Sequence, residues 1–186
     1  MRLFVSVDLP PSLSEAVTAV QDEFGDMDGL RLTDPAQAHF TLTFLGEADP
    51  ERVDEIHAAI EAAVGEADVD PFDCTIGGLG VFRSMEYITV IWAGVREDRG
   101  AAELTRLHGA LETELTALGF EAADYEFTPH ITLARMNDAR SKPQIQQVVR
   151  ETDPTIGTFR VDTVRLTETR LTELGPRYET VAEVDL

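Results

Sequence analysis

Two tetrads, His39-Phe40-Thr41-Leu42 and His130-Ile131-Thr132-Leu133, carry the residue types in this chain best suited to chemistry. In a β-strand, side chains two apart share a face, so each histidine points with its threonine while the two apolar residues point the other way. If the apolar faces pack on the body of the protein, two imidazole–hydroxyl pairs are left to face a common cleft. That set suits a phosphodiester. Displacement at phosphorus places the attacking and leaving oxygens on opposite sides, and two imidazoles with an ordinary pKa of about 6.5 can take a proton from water on one side and give one on the other. Threonine hydroxyls can donate to the non-bridging oxygens as charge develops there. Such a reaction needs no metal.

One H-x-T-L tetrad alone reads as an ordinary strand whose histidine is satisfied by a backbone carbonyl; the same pattern twice, in matching surroundings, points to a site. Zinc binding is the weaker reading, because each strand supplies one ligand where a zinc site needs several. His57 and His108 lie beside the apolar stripes of helices, an ordinary place for a boundary histidine. The lone Cys74 excludes an intramolecular disulfide and a multi-cysteine zinc site, and reads as a packing residue. Gly77-Gly78-Leu79-Gly80 lacks the Lys-Ser/Thr ending of a phosphate loop and reads as a turn.

The elements that must position the tetrads follow from periodicity. Leu3, Val5 and Val7 predict a strand over 2–9 that stops at Pro10-Pro11, and Ser12 with Glu15 forms a capping-box pattern opening a helix over 12–24. A short strand over 30–33 and a stronger one over 39–45 follow. Asp49-Pro50 starts a second helix with the stripe Val53, Ile56, Ile60 and Val64. Strands are expected over 72–76 and 87–95, and a third helix over 101–118 carries Leu104, Leu107, Leu111 and Leu115 up to Gly119. The remaining expectations are a strand over 130–135, a helix begun by Ser141, and strands over 158–167 and 178–184. Helix, H-x-T-L strand and helix thus occur twice. The pattern predicts one domain over 1–186, α+β and bilobed, with two pseudo-symmetric antiparallel sheets facing a central cleft and helices outside.

The chain has 35 acidic and 15 basic residues among 186, a formal charge of −20, with Lys142 its only lysine. A protein of that sign repels nucleic acid in dilute buffer. The acidic residues are interleaved with periodic apolar positions, which excludes a disordered acidic tail. The composition matches proteins of salt-accumulating halophiles, where a Debye length of about 3 Å at 1 M salt screens like charges and a few local groups can hold a phosphate. No apolar run reaches the length of a membrane span and the first residues do not read as a signal peptide, so a cytoplasmic protein is expected.

Around the tetrads the sequence resembles the 2H phosphoesterases, and within them the RNA 2′,3′-cyclic phosphodiesterases also called 2′-5′ RNA ligases. The resemblance covers nearly the whole chain, including Arg2-Leu3-Phe4-Val5-Ser6-Val7, Phe44-Leu45-Gly46-Glu47, Leu79-Gly80-Val81-Phe82, Trp92-Ala93-Gly94-Val95, Thr128-Pro129, Ala134-Arg135 and Gly175-Pro176-Arg177-Tyr178. It implies a bilobed pseudo-symmetric fold, a haloarchaeal source given the composition, and hydrolysis of RNA 2′,3′-cyclic phosphate ends to 2′-phosphates, with 2′-5′ joining as a side activity. By the same resemblance His39 matches the acid that protonates O3′, His130 the base, Thr41 and Thr132 the phosphate-binding threonines, and Arg135 a phosphate-contacting arginine. Phe44 matches an aromatic that stacks on a nucleobase. Strict alternation places Arg135 and Phe44 on the face opposite the histidines, so Arg135 reaches the cleft only if its strand bulges, and Phe44 reads equally well as core. Arg177 and Tyr178 either flank the cleft or open a strand. Expected partners are RNA ends with 2′,3′-cyclic phosphate or cyclic nucleotides, bound by a monomer with no cofactor, metal or membrane. Two alternatives stay open: a phosphodiesterase for small cyclic nucleotides, and a non-catalytic module that binds RNA ends.

Overall fold

A computed structural model describes residues 1–186. Strand β1 (Arg2–Asp8) buries Leu3, Val5 and Val7 on one face and presents Phe4, Ser6 and Asp8 on the other. Helix α1 (Ser14–Asp22) begins later than the capping-box pattern suggests. Pro10-Pro11 fix the backbone for a 3-10 turn at Pro11–Leu13, so Ser12 lies inside that turn, Leu13 holds the cap position, and no side chain caps the helix. Strands β2 (Leu30–Leu32) and β3 (His39–Glu47) precede α2 (Val53–Ala67). The Asp49-Pro50 signal acts as expected: Asp49 accepts from the Glu51 N–H at 2.9 Å over a 3-10 turn that leads into α2.

Two further expectations are corrected. The glycine run at 77–80 is no turn: β4 (Phe72–Arg83) passes through it and pairs with β5 (Ile88–Val95), skipping Gly78 in the ladder as a bulge with φ +76°. The segment expected as one strand over 158–167 is the end of β7 (Thr155–Val161) and the start of β8 (Thr163–Thr172), which break at Asp162 and lie in opposite halves of the sheet. The other elements are α3 (Ala101–Ala117), β6 (Ile131–Met136), α4 (Lys142–Glu151) and β9 (Gly175–Asp185).

The strands order as β7-β4-β5-β6-β3-β1-β8-β9, all antiparallel, with β2 also on β6. One pair, Phe40 with Ile131, joins the half built on β3 to the half built on β6. The two expected sheets are therefore one curled sheet, whose innermost strands are β3, carrying the first tetrad, and β6, which begins at Ile131 directly after His130. On its apolar face Val5, Phe40, Leu42, Ile131 and Leu133 share a core with Ile56 and Ile60 of α2 and Leu104, Leu107 and Leu111 of α3. A smaller core of Phe24, Ile88, Ile91, Ala134 and Ile145 lies under α4. Burial of this kind contributes roughly 2–3 kcal/mol for each large side chain. It fixes which face of β3 and β6 is left for chemistry.

Candidate active site

The Phe40–Ile131 pair sets the geometry of the tetrads. Phe40 and Ile131 both point into the core, so their neighbours His39, Thr41 and Thr132 are turned to the opposite face, with His130 directly before Ile131. The two imidazoles are near enough for the charge of His39 to lower the pKa of His130. Each ring is held the same way. His39 Nδ1 lies 2.8 Å from the Gln37 carbonyl and His130 Nδ1 lies 2.6 Å from the Thr128 carbonyl. A carbonyl only accepts, so Nδ1 carries the proton and each Nε2 is left with its lone pair. Gln37 is itself braced, donating to the Pro176 carbonyl and accepting from the Tyr178 N–H.

Both strands bulge at the same place after the histidine. In β3, Ser6 pairs with Thr41 and Val5 with Thr43, which leaves Leu42 extra; in β6, Trp92 pairs with Thr132 and Ile91 with Ala134, which leaves Leu133 extra. Helix side chains brace both bulges: Leu42 O accepts from His108 Nδ1 at 2.6 Å, and Leu133 O accepts from Gln21 Nε2 at 3.0 Å besides the Thr33 N–H at 3.0 Å. Each bulge keeps two successive residues on the apolar side and turns the next one to the cleft. Phe44 and Arg135, both five positions after a histidine, therefore join the polar face. Phe44 is 61% exposed, which removes the core reading of that ring.

Aromatic rings buttress each imidazole. The Tyr178 ring meets His39 edge-on at 4.9 Å, with Phe4 at 5.0 Å from His39. The Phe82 ring meets His130 edge-on at 4.8 Å, and Trp92 lies 5.9 Å away. The Trp92 indole covers Gly80 so closely that a Cβ there would overlap the ring, which explains a glycine at 80. Tyr178 thus flanks the cleft, while Arg177 turns to Asp34 at 3.2 Å. Tetrad periodicity gave no signal for Phe4, Phe82 or Trp92. Their strand parity would have shown them, once the pairing partners were known.

The two walls differ electrically. Burial lowers the pKa of both histidines, and the Arg135 guanidinium lowers each further, while the carbonyl at each Nδ1 opposes the shift. Asp8, the cross-strand partner of His39, raises His39; the His130 side has no such carboxylate and is lowered also by His39. Asp8 is anchored by Ser6 Oγ at 3.1 Å and Arg165 at 2.7 Å.

The other sequence candidates fall elsewhere. His57 on α2 contacts the Glu183 carbonyl at 3.2 Å, and His108 stacks on Phe127 besides bonding Leu42. Cys74 is fully buried and its thiol is pushed up to about 12, first by desolvation, so it packs. A concavity lined by Asp68, Asp70, Glu103 and Arg106 contains neither tetrad. Its carboxylates repel phosphate, and Arg106 is spent on the Ala67 and Asp68 carbonyls.

Comparison with known proteins agrees with this geometry. Residues 9–173 match the model of the 2′-5′ RNA ligase superfamily. The chain is 34% identical over 180 residues to the RNA 2′,3′-cyclic phosphodiesterase of Archaeoglobus fulgidus, covering 96% of this chain and 97% of that one. It is 36% identical over 147 residues to the protein of the same name from Aeropyrum pernix, covering 78% and 80%. The crystal structure of TT0787 of Thermus thermophilus superimposes with a TM-score of 0.79 at 26% identity, over 100% of this chain and 98% of that one. E. coli LigT complexed with 3′-AMP shares the fold, with a TM-score of 0.78 at 22% identity over 100% and 97%.

Proposed function

The chain belongs to the 2′-5′ RNA ligase superfamily, and from that premise we propose that it is an RNA 2′,3′-cyclic phosphodiesterase that opens cyclic phosphate ends to 2′-phosphates. The observation that carries the reading is a pair of imidazoles on the two strands joined by Phe40 and Ile131, close enough to influence one another, each with Nδ1 anchored on a backbone carbonyl and Nε2 free. His130 Nε2 takes a proton from water as its oxygen attacks phosphorus in line with O3′. His39, protonated at Nε2, gives its proton to O3′ as the P–O3′ bond breaks. Thr41 and Thr132 donate to the non-bridging oxygens, Arg135 balances the phosphate charge, and the exposed Phe44 ring offers a stacking surface for the terminal base. Asp8 beside His39 favours the protonated form on that wall, which supports the assignment of His39 as acid.

The test is turnover of a dinucleotide 2′,3′-cyclic phosphate, with the product resolved by position and the assay repeated after exhaustive chelation. A 2′-phosphate formed at an unchanged rate in EDTA is expected. A 3′-phosphate would overturn the assignment of the leaving oxygen, and loss of turnover restored by one divalent ion would overturn the metal-free mechanism.

The pH dependence follows from the two shifts. Catalysis needs His130 neutral and His39 protonated, so kcat/KM traces a bell whose limbs belong to the coupled pair. Both groups are lowered in the free protein, so the bell is centred on the acid side of about 6.5. Bound substrate brings an anion that favours both imidazolium forms, and the kcat profile should move to higher pH than kcat/KM. Initial rates from pH 4 to 9 check both statements; a kcat/KM optimum above neutrality would contradict them.

A further inference from the structure

Arg31 is absent from the tetrads and their flanks, yet the fold delivers it to the same face. In the β2–β6 ladder Arg31 pairs directly with Arg135, and cross-strand partners project from the same side of a sheet. Like charges placed opposite one another destabilise a ladder. Nothing in the protein relieves them: neither guanidinium makes an ion pair or donates a hydrogen bond, whereas Arg140 and Arg177 nearby are each held by a carboxylate, Asp138 and Asp34. Both Arg31 and Arg135 are exposed. In a chain of charge −20, two cations kept adjacent and unpartnered at the end of the strand that carries Thr132 are arranged for anions supplied from outside.

Arg135 is close enough for its charge to act on both histidines. Arg31 lies across β6 from β5, and unlike Arg135 its charge does not shift either histidine. On the reading given above, which this inference rests on, the terminal nucleotide carries its cyclic phosphate between the histidines. Its 5′ phosphodiester is then the nearest further anion. We propose that Arg31, beside Arg135, forms a second phosphate subsite for the phosphodiester that joins the terminal nucleotide to the rest of the RNA, so that the protein prefers oligonucleotide ends to cyclic mononucleotides. The subsite reads backbone charge, independent of sequence.

The experiment compares a nucleoside 2′,3′-cyclic phosphate with the dinucleotide and trinucleotide bearing the same end, using the wild-type chain and Arg31→Gln. The wild type should favour the dinucleotide in kcat/KM by about tenfold, the scale of one charge-assisted contact, with little further gain for the trinucleotide. Arg31→Gln should lose most of that preference and leave the mononucleotide within about twofold. The slope of log KM against log salt for the dinucleotide should become shallower by about 0.7, as for one lost phosphate contact to a single strand. Equal rates on mono- and dinucleotide by the wild type, or an Arg31→Gln variant that keeps the preference, would overturn the subsite while leaving the cyclic phosphodiesterase reading intact. A uniform loss on both substrates would make Arg31 a structural residue and equally overturn it. No turnover of any of the three substrates by the wild type would overturn the underlying activity and the subsite with it.

Discussion

His39→Ala and His130→Ala should each lower kcat/KM for a dinucleotide 2′,3′-cyclic phosphate by about 10²-fold or more, the scale of general acid–base catalysis. The double variant should lose much less than the product of the two, because residues that act as a unit are non-additive. Both side chains lie on the cleft face, outside the main core, and each makes one hydrogen bond to a backbone carbonyl. The variants should therefore fold, which thermal unfolding checks alongside the assay. The roles are separated with a substrate whose leaving group needs no protonation, such as an aryl phosphodiester. It should restore the rate of His39→Ala but not of His130→Ala, since a missing acid is bypassed and a missing base is not. Rescue of the opposite variant would exchange the roles. Near-normal rates in both single variants would discard the enzymatic reading of this face.

The tetrads and the elements around them were legible in the sequence because their signals are periodic and local. His39, Thr41, His130 and Thr132 share a face by strand parity alone, and the leucine stripe of α3 named its own buried side. Arg135 and Phe44 were not legible by that rule. Parity assigned them to the core face, and the structure reverses it through bulges at Leu42 and Leu133 whose carbonyls are held by His108 and Gln21, side chains distant in sequence. No local pattern announces a bulge whose support comes from another element. The same limit applies to Arg31, which became notable only through its partner Arg135, and to Tyr178 beside His39. The failed capping box at Ser12 is the converse case. There a local motif was present, and the neighbouring Pro10-Pro11 turn overrode it.

The second large effect is expected at the threonines. Thr43 and Thr167, buried in neighbouring positions, spend their hydroxyls on Glu112 and Ser6, and Thr33 bonds the Thr132 and Leu133 carbonyls. The Thr41 and Thr132 hydroxyls have no such partner and are not buried, so they remain available to a ligand between the histidines. Thr41→Val or Thr132→Val preserves the branched shape that suits a strand and removes only the donor. If these hydroxyls meet the non-bridging oxygens as charge grows there, each change should lower kcat by about 10²-fold, the cost of one lost oxyanion donor, with KM changed much less. Serine at either position keeps a donor and should recover most of the rate. The split between the constants decides between catalysis and mere retention of phosphate. A module that only holds RNA ends would lose affinity for the 2′-phosphate product by the same factor as any apparent rate, because its hydroxyls bind ground state and product alike. Product affinity measured by titration calorimetry for the two valine variants, set beside their kcat, therefore tests the reading without depending on either histidine. A loss confined to affinity would assign the threonines to binding and leave the chemistry to the imidazoles and Arg135.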